Sequence, residues 1–344
     1  MKTIVIHAAK DLRIEEREAG SPGPGEVAVA IKRGGICGSD LHYYNHGGFG
    51  VVRLKEPMIL GHEVAGEIAA LGTDVAGLAI GDRVAVSPSR PCATCAYCQQ
   101  GLQNHCRHMR FYGSAMPFPH IQGAFREQLI ADATQCHKIE HGIALEMAAF
   151  AEPFAVTLHA INRAGPLAGR RVLITGCGPI GALAIIAARA HGAREIVATD
   201  VTDFTLATAL TVGADRAVNV ATNASDMDRY KANKGAFDIM IEASGNERAL
   251  RMGLDVLRPR GILVQLGLGG EMTMPQNQIV AKEIDLRGSF RFHEEFALAV
   301  DLINRKRVDL SPLLSAVVPL AEAESGFQLA NDRSKAMKVQ IAFS

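Results

Sequence analysis

The segment Gly176-Cys177-Gly178-Pro179-Ile180-Gly181 restricts what this 344-residue chain can fold into more than any other feature. A G-x-G-x-x-G pattern is weak by itself in a chain with 34 glycines. Here an apolar run at 171–175 reads as a strand entering the loop, and the small-residue-rich stretch 180–191 reads as a helix leaving it. Asp200 closes the next apolar run, 195–199, at 19 positions beyond Gly181. That context is what the pattern needs in order to hold a dinucleotide. The first glycine makes the tight turn, the second lets the backbone approach a pyrophosphate, and the third lets helix and strand pack closely. The helix N-terminus then offers unpaired N–H groups and partial positive charge to the phosphates. Asp200 would accept hydrogen bonds from the adenosine ribose hydroxyls. Its charge repels a 2′-phosphate and Val201-Thr202-Asp203-Phe204 holds no arginine to receive one, which favours NAD over NADP. The plainer alternative is an ordinary strand–helix turn with a solvated aspartate.

The alternation continues downstream with strands predicted at 217–220, 237–241 and 261–266, the rhythm of a doubly wound parallel sheet in an α/β domain. The N-terminal half reads differently. Short strands at 26–31, 63–68 and 82–86 are cut by Pro24-Gly25, Gly61, Gly81 and Pro88, which suggests a β-barrel-like body. A helix is expected at 294–304, and the remaining tail is too short for a third domain. The division expected is 1–155, 156–292, and a segment 293–344 that packs back on the first domain.

Composition narrows the function. Lys+Arg and Asp+Glu both number 36, so no net field attracts nucleic acid or an anionic membrane. With 48% hydrophobic and 21% charged residues, disorder and coiled coil are poor fits. No apolar run approaches the ~18 residues of a membrane span. The opening Met1 to His7 is too short for a signal peptide, and the expectation is a soluble cytoplasmic protein.

Of seven cysteines, four fall at Cys92, Cys95, Cys98 and Cys106. Tetrahedral zinc takes four soft ligands, and loops this short let one excursion of chain wrap the ion; with no open position such a zinc is structural. The alternatives are free thiols or an iron–sulfur cluster, although the ferredoxin run ends in Cys-Pro and Arg107 follows Cys106 here. Cys136 and Cys177 read as small core hydrophobes. Cys37, His62 and Glu63 form a second possible set, offering sulfur, nitrogen and oxygen with a fourth position open, as a catalytic zinc requires. Adjacent His and Glu on a strand point to opposite faces, so joint coordination demands a bend there.

The stretch Gly61-His62-Glu63-x2-Gly66-x5-Gly72-x2-Val75 resembles the zinc signature of the medium-chain dehydrogenase/reductases, and the cysteine lobe and glycine loop follow in that family's order. The resemblance spans essentially the whole chain. It implies a GroES-like β-barrel catalytic domain followed by a Rossmann domain, with NAD and two Zn²⁺ per chain. Cys37-Gly38-Ser39-Asp40-x-His42-Tyr43 looks like the polyol-oxidising branch. The stretches 33–44, 109–116 and 286–292 resemble members that act on the sugar acid L-idonate, oxidising its C5 hydroxyl to give 5-keto-D-gluconate.

By that resemblance Cys37 and His62 match catalytic zinc ligands. Glu63 ligates zinc directly in some members and stands behind it in others, and Glu152 binds the metal or its water. Ser39 matches the hydroxyl that takes the substrate proton, and His42 the relay to solvent. Leu266, Gly267 and Leu268 match cofactor contacts, and Tyr43 a substrate contact. A sugar acid also needs a cation for its carboxylate. Arg110 and Arg291 are the candidates, the former more discriminating because polyol enzymes also keep an arginine near the latter; surface charge is the plain reading of both. The family implies a homodimer or homotetramer built near 263–271 and 284–289. A sorbitol- or xylitol-type enzyme is the rival, threonine dehydrogenase a weaker one, and a non-catalytic binding protein would be expected to have lost these ligands.

Overall fold

The strand Arg171–Thr175 enters the glycine loop and lies inside a six-stranded sheet in the computed structural model, which describes residues 1–343. Taken in chain order, the strands are Arg171–Thr175, Glu195–Asp200, Arg216–Asn219, Phe237–Glu242, Leu257–Gln265 and Asp285–Gly288. Across the sheet they run 3-2-1-4-5-6, with every pairing parallel. The order reverses between the first and fourth strands, so a crevice opens at their carboxyl ends, where such sheets bind ligands. Alternation along the strands feeds two cores. Val172 and Ile174 join the apolar cluster on one face, and Leu173 joins the cluster on the other.

One boundary departs from the sequence reading. The fifth strand begins at Leu257 and takes in Pro259, ahead of the start expected at 261, and its register against the fourth jumps from Leu257 to Ile262. The intervening residues bulge, with Arg260 at φ 56°, so the proline costs no ladder hydrogen bond.

The N-terminal part is built on the ten-residue strand Glu26–Gly35, which is shared by three neighbours: Glu63–Leu71 along most of its length, Gln128–Asp132 over residues 26–30 and Lys338–Ala342 over residues 33–35. This curls a seven-stranded sheet into the GroES-like body. The strand Lys338–Ala342 lies near the end of the described chain and brings residues more than 300 positions apart into register.

The two parts share an apolar core through helix Ala151–Ala164, whose Phe154, Leu158 and Ile161 are buried in one cluster with Ala65 and Ala85 of the barrel and Leu183 and Ala187 of the sheet domain. Full burial of such side chains contributes about 1.5–3 kcal/mol each. The helix therefore fixes its first turn, which carries Glu152, between the barrel and the crevice.

Candidate active site

Cys37 ends the barrel strand region and caps helix Gly38–His46, while His62 and Glu63 open the strand Glu63–Leu71 beside it. Gly61, at φ 89°, supplies the bend that adjacent His and Glu need. One ligand atom from each of Cys37, His62 and Glu63 lies within 4.8 Å of the others. Asp40, fully buried, ties the two segments together: it accepts from the Cys37 N–H at 3.0 Å and the Gly61 N–H at 3.1 Å, and its Oδ1 stands 3.9 Å from His62 Nδ1. That nitrogen is buried without a hydrogen-bond partner. A carboxylate behind a histidine is how metal-binding imidazoles are oriented.

The electrostatics of the centre favour a cation. Burial and then the Glu63 carboxylate push the Cys37 thiol up to about 12. Burial also pushes Glu152 up to about 8, an effect that Glu63 and Cys37 reinforce and His62 and Lys338 oppose. Four acidic groups thus crowd one histidine and one lysine. A divalent ion among Cys37, His62 and a carboxylate relieves that crowding, so the residues fit a zinc centre.

Sequence reasoning missed Lys338. Its ammonium, 3% exposed, donates to both Glu63 oxygens at 2.7 and 2.8 Å and to the Ile36 carbonyl at 3.2 Å. Burial alone would lower its pKa, but Glu63 and Cys37 reverse this and raise it. Glu63 is therefore held by a lysine 275 positions away, while Glu152 stands outside the close cluster of three.

Arg291 lies over this centre. Its guanidinium stacks on Phe111 at 4.3 Å and Phe290 at 5.0 Å, and Phe111 in turn lies 5.7 Å from the His62 ring. Its one hydrogen bond runs to the Met116 thioether at 3.2 Å; burial lowers its pKa, and the charge of Glu152 is the largest influence opposing that. The backbone holds Arg291 at φ 54°, a left-handed conformation that an ordinary side chain adopts only at a cost of about 1–3 kcal/mol. Tyr43 is buried nearby, its hydroxyl accepting from the Ala115 N–H at 3.0 Å. Arg110 is placed elsewhere. It precedes Phe111 on a two-residue strand, so alternation exposes it on the opposite face. Ser39 and His42 sit three apart on helix Gly38–His46 and share a face, Ser39 half-buried and His42 exposed. Partial burial and then His46 lower the His42 pKa.

The four lobe cysteines converge, again within 4.8 Å of one another, on an excursion closed by the antiparallel strands Ser89–Arg90 and Arg110–Phe111. Cys95 and Cys98 sulfurs are 3.6 Å apart, close to the edge of a tetrahedron with ~2.3 Å bonds. Backbone N–H groups of Cys95 and His108 point at the Cys92 and Cys106 sulfurs at 3.3 Å. The hydroxyl of Thr94 is the largest influence bringing Cys92 down to about 5. Tyr97 and Leu102 are exposed, so the lobe has little apolar core of its own and fits a structural metal.

At the crevice, helix Pro179–Ala190 starts at Gly178, whose missing side chain faces open space. A phosphate can therefore approach the backbone there. Asp200 is fixed by the Cys177 N–H at 2.6 Å and the Val201 N–H at 2.6 Å, leaving lone pairs for ribose hydroxyls. Gly267 and Leu268 follow the fifth strand at the other side of the crevice, with Leu268 79% exposed. Leu266, just before them, is buried.

Residues 23–141 match the alcohol dehydrogenase GroES-like domain, and residues 179–305 match the zinc-binding dehydrogenase family. The chain is 42% identical over 343 residues to L-idonate 5-dehydrogenase (NAD(P)(+)) of Escherichia coli strain K12, covering 99% of this chain and 98% of that protein. It is 34% identical over 342 residues to sorbitol dehydrogenase of Gallus gallus, covering 98% and 95%. The crystal structure of the Escherichia coli L-idonate 5-dehydrogenase superposes with a TM-score of 0.95 over 99% of this chain and 98% of that one.

Proposed function

The chain belongs to the zinc-binding alcohol dehydrogenase family, and we propose that within it the substrate is L-idonate, oxidised at C5 to 5-keto-D-gluconate with hydride passing reversibly to NAD. The observation that carries this reading is the 42% identity, over 99% of the chain, to an L-idonate 5-dehydrogenase, against 34% to a sorbitol dehydrogenase; Arg291, a partly desolvated guanidinium stacked on Phe111, is the cation beside the centre that a sugar-acid carboxylate would use. Such a group is an anchor for an anionic substrate. Arg110 faces away from the centre, so the carboxylate goes to Arg291.

Cys37, His62 and Glu63 would hold the catalytic zinc, with Lys338 fixing Glu63 and Glu152 facing the ion or its water, and the four lobe cysteines would hold a second, structural one. When bound, the catalytic ion lowers the pKa of the substrate hydroxyl so that its proton leaves as hydride departs. Ser39 takes that proton and His42 carries it to water. His42 suits the task because its lowered pKa keeps it neutral, and able to accept, near pH 7. Arg291 fixes the far end of the substrate, and Phe111 and Tyr43 close the cleft around it, excluding water. Asp200 and the absence of arginine at 201–204 favour NAD. The unpaired edge strand Asp285–Gly288, with Leu286 46% exposed, suits pairing with a second copy in a homodimer or homotetramer.

Initial rates with L-idonate, D-gluconate, sorbitol and xylitol, each with NAD⁺ and NADP⁺, test the reading. It predicts a kcat/KM for L-idonate at least tenfold above the polyols, or about 1.4 kcal/mol of transition-state discrimination. Preference for sorbitol or xylitol would overturn the sugar-acid assignment and leave the zinc chemistry standing.

A further inference from the structure

Glu242 ends the fourth strand of the parallel sheet and is fully buried. Among the described residues no cation pairs with it. Its carboxylate instead collects five donors from three separate segments. The Thr175 hydroxyl reaches it from the strand that enters the glycine loop, at 3.3 Å. The Ser244 N–H at 2.9 Å, the Ser244 hydroxyl and the Gly245 N–H at 3.0 Å come from the turn that follows Glu242. The Gln265 amide, at 2.7 Å, comes from the end of the fifth strand and also donates to the Gly267 carbonyl at 2.9 Å. The Glu242 main chain joins in, its carbonyl accepting from the N–H groups of Leu266 at 2.9 Å and Gly267 at 2.7 Å. Gly245 and Gly269 pack backbone to backbone, with no room for a side chain on either.

A buried carboxylate without a counter-charge is costly unless donors replace its lost hydration. Neutral glutamine could accept through one oxygen only, and its amide would face the donors of Ser244 and Gly245. The fold therefore uses the charge for something a neutral side chain cannot do: it binds the turn 243–246 and the loop 265–269 into one rigid lip.

The place of that lip in the sheet indicates its purpose. A dinucleotide lies across the reversal between the first and fourth strands, with one mononucleotide on each side. Asp200 ends the second strand and marks the adenosine side. The fourth and fifth strands, with Glu242 and Gln265 at their tips, lie on the other side, and the exposed side chain of Leu268 projects from the lip. We propose that Glu242 is a positioning residue for the nicotinamide half of the cofactor, acting through the lip it holds rather than by touching the ligand. The adenosine half has its own supports, since the Gly176 N–H bonds to the Thr199 carbonyl at 2.8 Å and the Cys177 N–H to Asp200. The inference rests on dinucleotide binding and is independent of which alcohol is oxidised.

The test compares two ligands on the zinc-loaded enzyme by titration calorimetry: NADH, which fills both halves, and ADP, which fills only the adenosine half and pyrophosphate site. Glu242→Gln is expected to weaken NADH about tenfold or more while ADP stays within about twofold. Gln265→Leu, which severs only the tie to the second segment, is expected to shift the same ratio in the same direction, and it serves alone if Glu242→Gln does not fold. A role in general stability would weaken both ligands by one factor. That result, or unchanged NADH affinity in both variants, overturns the proposal.

Discussion

Replacing Lys338 by methionine should damage the protein more than replacing Lys338 and Glu63 together. The pair is 3% and 1% exposed, with both carboxylate oxygens within 2.8 Å of the ammonium. Methionine keeps the aliphatic length but strands a carboxylate in a site from which water is excluded. Breaking one side of a buried ion pair costs about 3–5 kcal/mol, most of it the uncompensated charge that remains. The loss of the bond to the Ile36 carbonyl adds about 1 kcal/mol. In a domain of this size each kcal/mol moves the melting temperature by roughly 2–4 °C, so Lys338→Met should melt on the order of 10 °C lower. Adding Glu63→Gln removes the orphaned charge and should restore more than half of the loss. Differential scanning calorimetry of the wild type, both single variants and the double variant measures the coupling directly. If Lys338→Met melts within a degree or two of the wild type, or if the double variant is worse than Lys338→Met, the ion pair is not what holds Glu63.

Three further outcomes follow, the first from the relay role proposed for His42 and the others from the geometry. His42→Gln should slow oxidation by about a hundredfold and remove the acid limb of the pH–rate profile, because His42 accepts protons only when neutral and wild-type turnover falls as pH drops through its lowered pKa; added imidazole buffer should restore part of the rate. Glu295, although burial pushes it up, is brought down to about 2 from 4.5 chiefly by hydrogen bonds from His159, the His293 N–H and Asn162. A depressed carboxylate stabilises the fold above its unfolded pKa. Wild type should therefore exceed Glu295→Gln by on the order of 2 kcal/mol at neutral pH, after allowance for screening, and the gap should close as pH falls below about 4.5 in urea titrations. With a structural zinc proposed in the lobe beside the catalytic one, Cys95→Ser should cost one zinc per chain relative to the wild type by metal analysis and open the lobe to proteolysis, since Tyr97 and Leu102 give it no core to fall back on.

Features written in consecutive residues were legible in the sequence. The glycine loop, the strand 171–175, Asp200 and the four lobe cysteines each depend on spacing within one segment, and chain geometry then fixes where the groups go. Lys338 was not legible because its meeting with Glu63 depends on strand pairing between residues 33–35 and 340–342, which no local pattern specifies. Asp40 stood inside a quoted motif, and its helix-capping position three residues after Cys37 was a signal that could have marked it. From sequence Arg110 ranked above Arg291 as the more discriminating of the two. The structure instead turns Arg110 outward on a two-residue strand and holds Arg291 in a left-handed backbone against Phe111, and neither placement leaves a periodic trace. Glu242 lies one residue beyond the strand predicted at 237–241, and only the folded loops around it show how many donors it gathers.

The most direct test of the account is the ratio of kcat/KM for L-idonate to that for sorbitol, measured in the wild type and in Arg291→Leu. A charge-assisted contact to the substrate carboxylate is worth about 1.5–3 kcal/mol, so the ratio should fall by about 10- to 150-fold, with sorbitol turnover changing far less. An unchanged ratio would show that the guanidinium over the zinc centre does not read the carboxylate.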